Sequence, residues 1–96
     1  MWVLERTDEV SEWILGLDDD AREAILKHLL ILMEIGPSLG RPLVDSIKLS
    51  RHKSMKELRV QNKKRALRIF FAFDPSRKAI LLIGETKRGT TVSTGR

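Results

Sequence analysis

Cysteine and tyrosine are missing from this 96-residue chain, proline occurs three times and histidine twice. Without cysteine, disulfides and thiolate metal sites are both excluded, and the composition suits a reducing compartment. The two histidines, His28 and His52, are neither adjacent nor at helical ligand spacing, so no metal and no cofactor is expected. No apolar run approaches the roughly 18–20 residues that a bilayer span needs. The segment from Glu5 to Glu12 is acidic, unlike the cationic opening of a signal peptide. Phosphate-binding glycine loops, nucleophile elbows and metalloprotease helices are absent as well. What these absences leave is a soluble, cytoplasmic, single-domain protein with no membrane partner and room for one modest core.

Charge is what the chain has, and it is unevenly placed. Residues 1–40 hold three Lys or Arg against nine acidic residues, a net −6; residues 41–96 hold fifteen against four, a net +11. Such a split gives one face that attracts polyanions, of which nucleic acid is the commonest. The basic half is also patterned as a folded sheet, because its charges alternate with Leu58, Leu67, Ile69, Phe71, Ile80 and Leu82.

Local signals predict the elements. Trp2-Val3-Leu4 opens as a short strand, and Thr7-Asp8-Glu9 supplies caps and negative charge for a helix over 8–16. Asp18-Asp19-Asp20 caps a second helix whose buried stripe is Ala21, Ala24, Ile25, Leu29, Leu32 and Met33, and which stops at Gly36-Pro37. The run Leu29–Met33 is apolar nearly all round, which predicts contact on more than one side. Residues 43–47 are partly extended. From Ser54 the period is two: strands over 54–60, 65–73 and 78–84, joined by turns at 61–64 and 74–77.

If both turns are four-residue loops, Val60 faces Arg65, Leu58 faces Leu67 and Glu57 faces Arg68. On the next strand Phe71 faces Ile80 and Ile69 faces Leu82. One sheet face then carries Leu58, Leu67, Ile69, Phe71, Ile80 and Leu82 under the helices. The other carries Glu57, Arg59, Arg68, Phe70, Leu81 and Ile83, with Lys87 and Arg88 beside it. That second face mixes charge with uncovered apolar surface, a mark of a binding surface. The predicted class is α+β: a three-stranded antiparallel meander with an N-terminal edge strand, packed on a two-helix hairpin.

Glu57, Arg59 and Arg68 converge on that face. Two guanidinium groups around a carboxylate suit a phosphodiester, since Arg binds phosphate oxygens bidentately and stays protonated. An RNA substrate brings its own nucleophile, the 2′-OH. The same residues also make an ordinary cross-strand ion pair on a solvated strand, and spacing alone leaves catalysis and plain basic binding or solubility both open. Lys63-Lys64-Arg65 forms a charged hairpin tip able to touch phosphate. His52, between Arg51 and Lys53, is a proton carrier or an ordinary loop histidine. His28 falls at the edge of the helix stripe with no part in chemistry, and Trp2 and Trp13 read as core anchors.

Four segments together resemble the HigB-like, phage-derived branch of the RelE toxin superfamily. They are Asp8-Glu9-Val10-Ser11-Glu12-Trp13, Gly36-Pro37-Ser38-Leu39-Gly40-Arg41-Pro42-Leu43-Val44, Ser50 through Arg59 with its Lys56-Glu57-Leu58-Arg59 strand, and Arg68-Ile69-Phe70-Phe71-Ala72-Phe73-Asp74-Pro75. The resemblance implies the toxin of a type II toxin–antitoxin system: a ribosome-dependent endonuclease that cuts mRNA with the RNA 2′-OH and no metal. A cognate antitoxin, of helix-turn-helix type, would restrain it. On the matching positions Arg59, Arg68 and Lys87 would be catalytic, and Lys56, Glu57, Lys63, Lys64, Arg65 and Arg88 would hold RNA. Members of this branch continue past the last strand into an aromatic-rich segment and a final helix. Here residues 1–88 make the domain, and residues 89–96 are small and polar, which predicts a disordered tail. That departure keeps a second reading in play, a weakened or inactive module that binds antitoxin or RNA without cutting. Self-association through the uncovered sheet face is expected as well.

Overall fold

The structure, a computed structural model, describes residues 2–47, 55–63 and 65–88. The expected strand start at Ser54, the candidates His52 and Lys64, and the expected tail at 89–96 lie outside the described residues.

Each helix begins where a side chain can satisfy its first free amides. Thr7 caps α1 (Asp8–Leu15) by accepting from the Val10 amide, and its hydroxyl donates to the Leu82 carbonyl at 2.8 Å, tying the helix start to the sheet. Asp18 caps α2 (Asp19–Ile35) through the Ala21 amide at 2.9 Å. Gly36 ends α2 at φ +71°, a conformation that suits glycine, and a short 3₁₀ turn (Gly36–Ser38) follows.

The strands are β1 (Val3–Arg6), β2 (Val44–Ser46), β3 (Met55–Asn62), β4 (Arg65–Asp74) and β5 (Lys78–Arg88). They form one sheet in the order β1-β5-β4-β3-β2, with β1 parallel to β5 and every other pair antiparallel. The expected α+β architecture is present, with β2 as an added edge strand. Val10, Ile14, Ala21, Ile25, Leu29 and Leu32 from the helices pack on Leu58, Val60, Leu67, Ile69, Phe71, Ala79 and Leu81. Burying each large side chain there contributes roughly 1.5–3 kcal/mol.

Register differs from the expectation in two ways. At the first hairpin, pairing continues to Asn62↔Arg65, leaving a two-residue turn in which Lys63 adopts φ +56°. Glu57 therefore opposes Phe70, not Arg68; Leu58 opposes Ile69, and Val60 opposes Leu67. Every partner moves by two residues, so face membership is unchanged. At the second hairpin the loop is Pro75–Arg77, with Arg77 at φ +66°, and Phe71 meets Leu81 rather than Ile80. This one-residue shift flips the start of β5. Ala79 and Leu81 are buried, whereas Ile80 and Leu82, expected in the core, are only partly covered. Leu81 is thus not on the open face. A bulge between Phe70 and Phe71 then restores the expected phase, so Ile83 is exposed as foreseen.

Both tryptophans pack closely against a glycine. A Cβ on Gly84 would stand 2.2 Å from the Trp13 ring, and one on Gly36 the same distance from Trp2. Trp2 also meets Phe73 edge-on at 5.0 Å. The expected second contact of the Leu29–Met33 run is not made among the described residues, where Leu30 and Ile31 are exposed.

Candidate functional site

The open sheet face is built in rows about 7 Å apart, because alternate residues of a strand share a face. One row sets Asp45, Glu57, Phe70 and Ile83 side by side; the next sets Arg59, Arg68 and Glu85; a third sets Gln61, Ala66 and Lys87. Met55, Ala72 and Ile80 lie on the far side of the first row. The face thus grades from apolar to cationic along the strands.

Its centre is Glu57, the one charged residue buried among those described, at 7% exposure. Oε1 accepts from Arg59 Nε at 3.1 Å, and Oε2 accepts from Arg68 Nη1 at 2.9 Å. Arg59 and Arg68 stand directly opposite one another, an arrangement that would repel without the shared anion between them. Burial pushes the Glu57 carboxyl up, but the hydrogen bonds and charges of Arg68 and Arg59 outweigh it and hold the group below the ordinary glutamate range. Glu57 is therefore an ionised anchor with both oxygens engaged.

Two further carboxylates flank the pair. Arg59 Nη2 donates to Asp45 Oδ2 at 3.4 Å, and Arg41 Nε lies 3.3 Å from Asp45 Oδ1. The Arg41 hydrogen bond is the main cause of the lowered Asp45 carboxyl. Glu85 stands 3.7 Å from Arg68 Nε, beyond hydrogen-bond reach. Sequence reasoning did not single out Asp45, Glu85 or Arg41. Glu85 was legible by carrying the alternation Ile83-Glu85-Lys87 one step further. Asp45 and Arg41 reach the site only because β2 pairs beside β3, which no local signal announced.

The other candidates separate. Lys87 is exposed on the same face, one row beyond Arg68. Lys56 has the phase of Leu58 and lies on the opposite face from Arg59. Lys63 pairs with Asp20, whose hydrogen bond pushes the ammonium up, and Arg65 Nη2 lies 3.0 Å from Asp18 Oδ2. These hairpin-tip cations therefore clasp the start of α2 rather than join the Arg59–Arg68 pair. Arg88 pairs in register with Arg65 at the end of β5.

A cavity of about 610 Å³ adjoins the arginine pair where β3 runs on past the end of β2. Glu57, Arg59 and Arg68 line it together with His28, Pro42 and Gln61.

Residues 12–94 match the family described as phage derived protein Gp49-like. HigB2 of Mycobacterium tuberculosis, which carries a toxin name, is 47% identical over 83 residues, 85% of this chain and 41% of that protein. HigB3 of the same organism, also named for a toxin, is 43% identical over 81 residues, 84% of this chain and 69% of that one. The chain thus spans less than half of the first relative. A chain of the archaeal RelE-RelB complex from Pyrococcus horikoshii superimposes with a TM-score of 0.61 at 16% identity, covering 92% of this chain and 94% of that one. For the E. coli RelBE toxin-antitoxin complex the values are 0.55 and 15%, covering 88% and 94%. At such identities the two structures establish a shared fold. No helix among the described residues is long and apolar enough to cross a membrane.

Proposed function

The chain belongs to the phage-derived Gp49-like family, with HigB relatives, and from that premise we propose that it is the toxin of a toxin–antitoxin system that cuts mRNA on the ribosome. The observation that carries this reading is the pair Arg59 and Arg68, fixed side by side on an open face by the buried Glu57. A scissile phosphodiester gains negative charge as the neighbouring 2′-OH attacks. Two adjacent guanidinium groups stabilise that charge best when they need not reorganise to meet it. Glu57 holds them in place and is a positioning residue, since an ionised carboxylate accepting two charged hydrogen bonds is a poor proton acceptor. Lys87, one row away, is suited to the leaving oxygen or an adjacent phosphate. A cognate antitoxin is the expected partner, and the exposed Leu26, Leu30 and Ile35 of α2 offer it apolar surface.

The saturation of Glu57 also favours a second reading, in which the face binds RNA or antitoxin without cutting. One assay separates the two. Ribosomes translating a defined mRNA are incubated with the protein, and 5′ ends are mapped by primer extension. Discrete new ends that vanish with Arg68→Ala support the endonuclease. Translation arrest without new ends would establish the binder instead.

A further inference from the structure

The cavity beside the arginine pair is larger than a phosphate requires. At about 610 Å³ it falls within the range of small-molecule sites. It exists because pairing beside β3 ends one step past Val44↔Leu58, where the Arg59 amide donates to the Leu43 carbonyl at 2.7 Å, so β3 residues 60–62 extend past their neighbour. Its remaining walls are mixed in character: Pro42, Leu43 and Val60 are apolar, and His28 and Gln61 are polar.

The fold sets the hydrogen-bonding sense of both polar groups. His28 Nδ1 lies 2.8 Å from the Ala24 carbonyl. A carbonyl only accepts, so Nδ1 carries the hydrogen, and Nε2 of the neutral ring is an acceptor. Gln61 donates one N–H of Nε2 to the Lys63 carbonyl at 3.1 Å, which orients its amide and leaves Oε1 as an acceptor beside its second N–H. Apolar walls with two acceptors complement a flat heteroaromatic ring that bears donors. Single-stranded RNA offers such a ring once a base is splayed out of its stack.

We propose that this cavity is a base-recognition subsite, taking an amino-bearing base (adenine, cytosine or guanine) from the nucleotide whose phosphate rests on Arg59 and Arg68. The proposal rests on the RNA-directed reading above and deepens it by assigning specificity to His28 and Gln61, which lie outside the arginine cluster. Uracil, which has a single ring N–H and no amino group, is the disfavoured base.

Titrating the isotope-labelled protein with adenosine, cytidine and uridine 3′-monophosphates and with inorganic phosphate, followed by NMR, tests this without requiring cleavage. The adenosine and cytidine nucleotides should shift the His28 ring and the Gln61 side-chain amide as well as the Arg59 and Arg68 side chains. Inorganic phosphate should shift the arginines alone, and the uridine nucleotide should bind more weakly. His28→Ala and Gln61→Ala should each weaken the adenosine and cytidine nucleotides by about three- to tenfold, the effect of one lost hydrogen bond, with phosphate affinity retained. Arginine shifts with His28 and Gln61 unmoved would overturn the subsite and leave the RNA-directed reading standing. Equal affinity for the uridine nucleotide would overturn the base preference. Nucleotides that move none of the four residues overturn the subsite too, and the mapping of mRNA ends then decides the function independently.

Discussion

Glu57 is the residue on which the site turns, and its chemistry makes two predictions. Glu57→Gln removes the anion between two arginines, so the protein should lose about 1.5–3 kcal/mol, the net worth of charged hydrogen bonds. The loss should depend on pH in a fixed direction. A carboxyl held low in the folded state contributes stability above its unfolded value, 4.5 for a glutamate, and loses it as pH falls through the folded value. Thermal melts should therefore separate wild type from Glu57→Gln at pH 7 and converge in acid; a gap unchanged at pH 2 would contradict the assignment. Arg68→Ala strips one partner from the same anion. A purely surface pair would cost under about 1 kcal/mol; Arg68 is mostly covered and bonds a buried carboxylate, so about 1–2 kcal/mol is expected here. Cleavage should be lost in Arg68→Ala, and Arg68→Lys, with charge but no planar fork, should restore stability better than activity. Denaturant melts and end mapping on the same preparations check both.

Among the elements, the helices were legible almost to the residue, because capping is local. Thr7, Asp18 and Gly36 announce their roles in the sequence and perform them in the structure. The β5 strand was not, since its phase depends on a three-residue loop and a bulge at Phe70/Phe71. Neither has a strong sequence mark: Arg77 supplies the left-handed turn position where glycine is usual. Beside this bulge, Gly84 lets α1 approach β5 until Trp13 lies on its backbone and donates Nε1–H to Thr86 at 3.1 Å. Gly84→Ala forces that ring away. The expected cost is about 1–3 kcal/mol, the range for overpacking, together with a change in tryptophan fluorescence; a Tm equal to wild type would show the helix free to shift.

Taken whole, the molecule does not keep its two charged halves apart. Lys63 and Arg65 reach from the basic half to Asp20 and Asp18 at the start of α2, while Arg59 and Arg68 share Glu57, Asp45 and Glu85, with Lys87 one row beyond them. Binding to ribosomes or single-stranded RNA should weaken as salt rises, with a log–log slope near −2 for about three phosphate contacts at roughly 0.7 each. Lys63→Ala, whose charge is already matched by Asp20, should change that slope little, whereas Lys87→Ala should flatten it. The opposite side of the molecule exposes Leu26, Leu30 and Ile35 along α2. Replacing Leu26 and Leu30 with Ser should reduce concentration-dependent association seen by light scattering while leaving stability within about 0.5 kcal/mol of wild type. Unchanged association would point to the sheet face around Ile83 instead.

The α+β class, the two helices with their caps, and the face on which Glu57, Arg59 and Arg68 sit were all legible in the residues alone. These follow from period and from local hydrogen bonding, which no distant contact needs to adjudicate. A hairpin register wrong by two residues still placed those three together, since side-chain phase repeats every two. Which residue each arginine opposes, the entry of Leu81 rather than Ile80 into the core, and the approach of Asp45 and His28 to the site emerged from the folded chain. Those outcomes turn on loop length, a bulge and the seating of one element beside another. They are settled by the packing of the whole chain, where a one-residue slip reverses a strand and a three-residue edge strand opens a cavity.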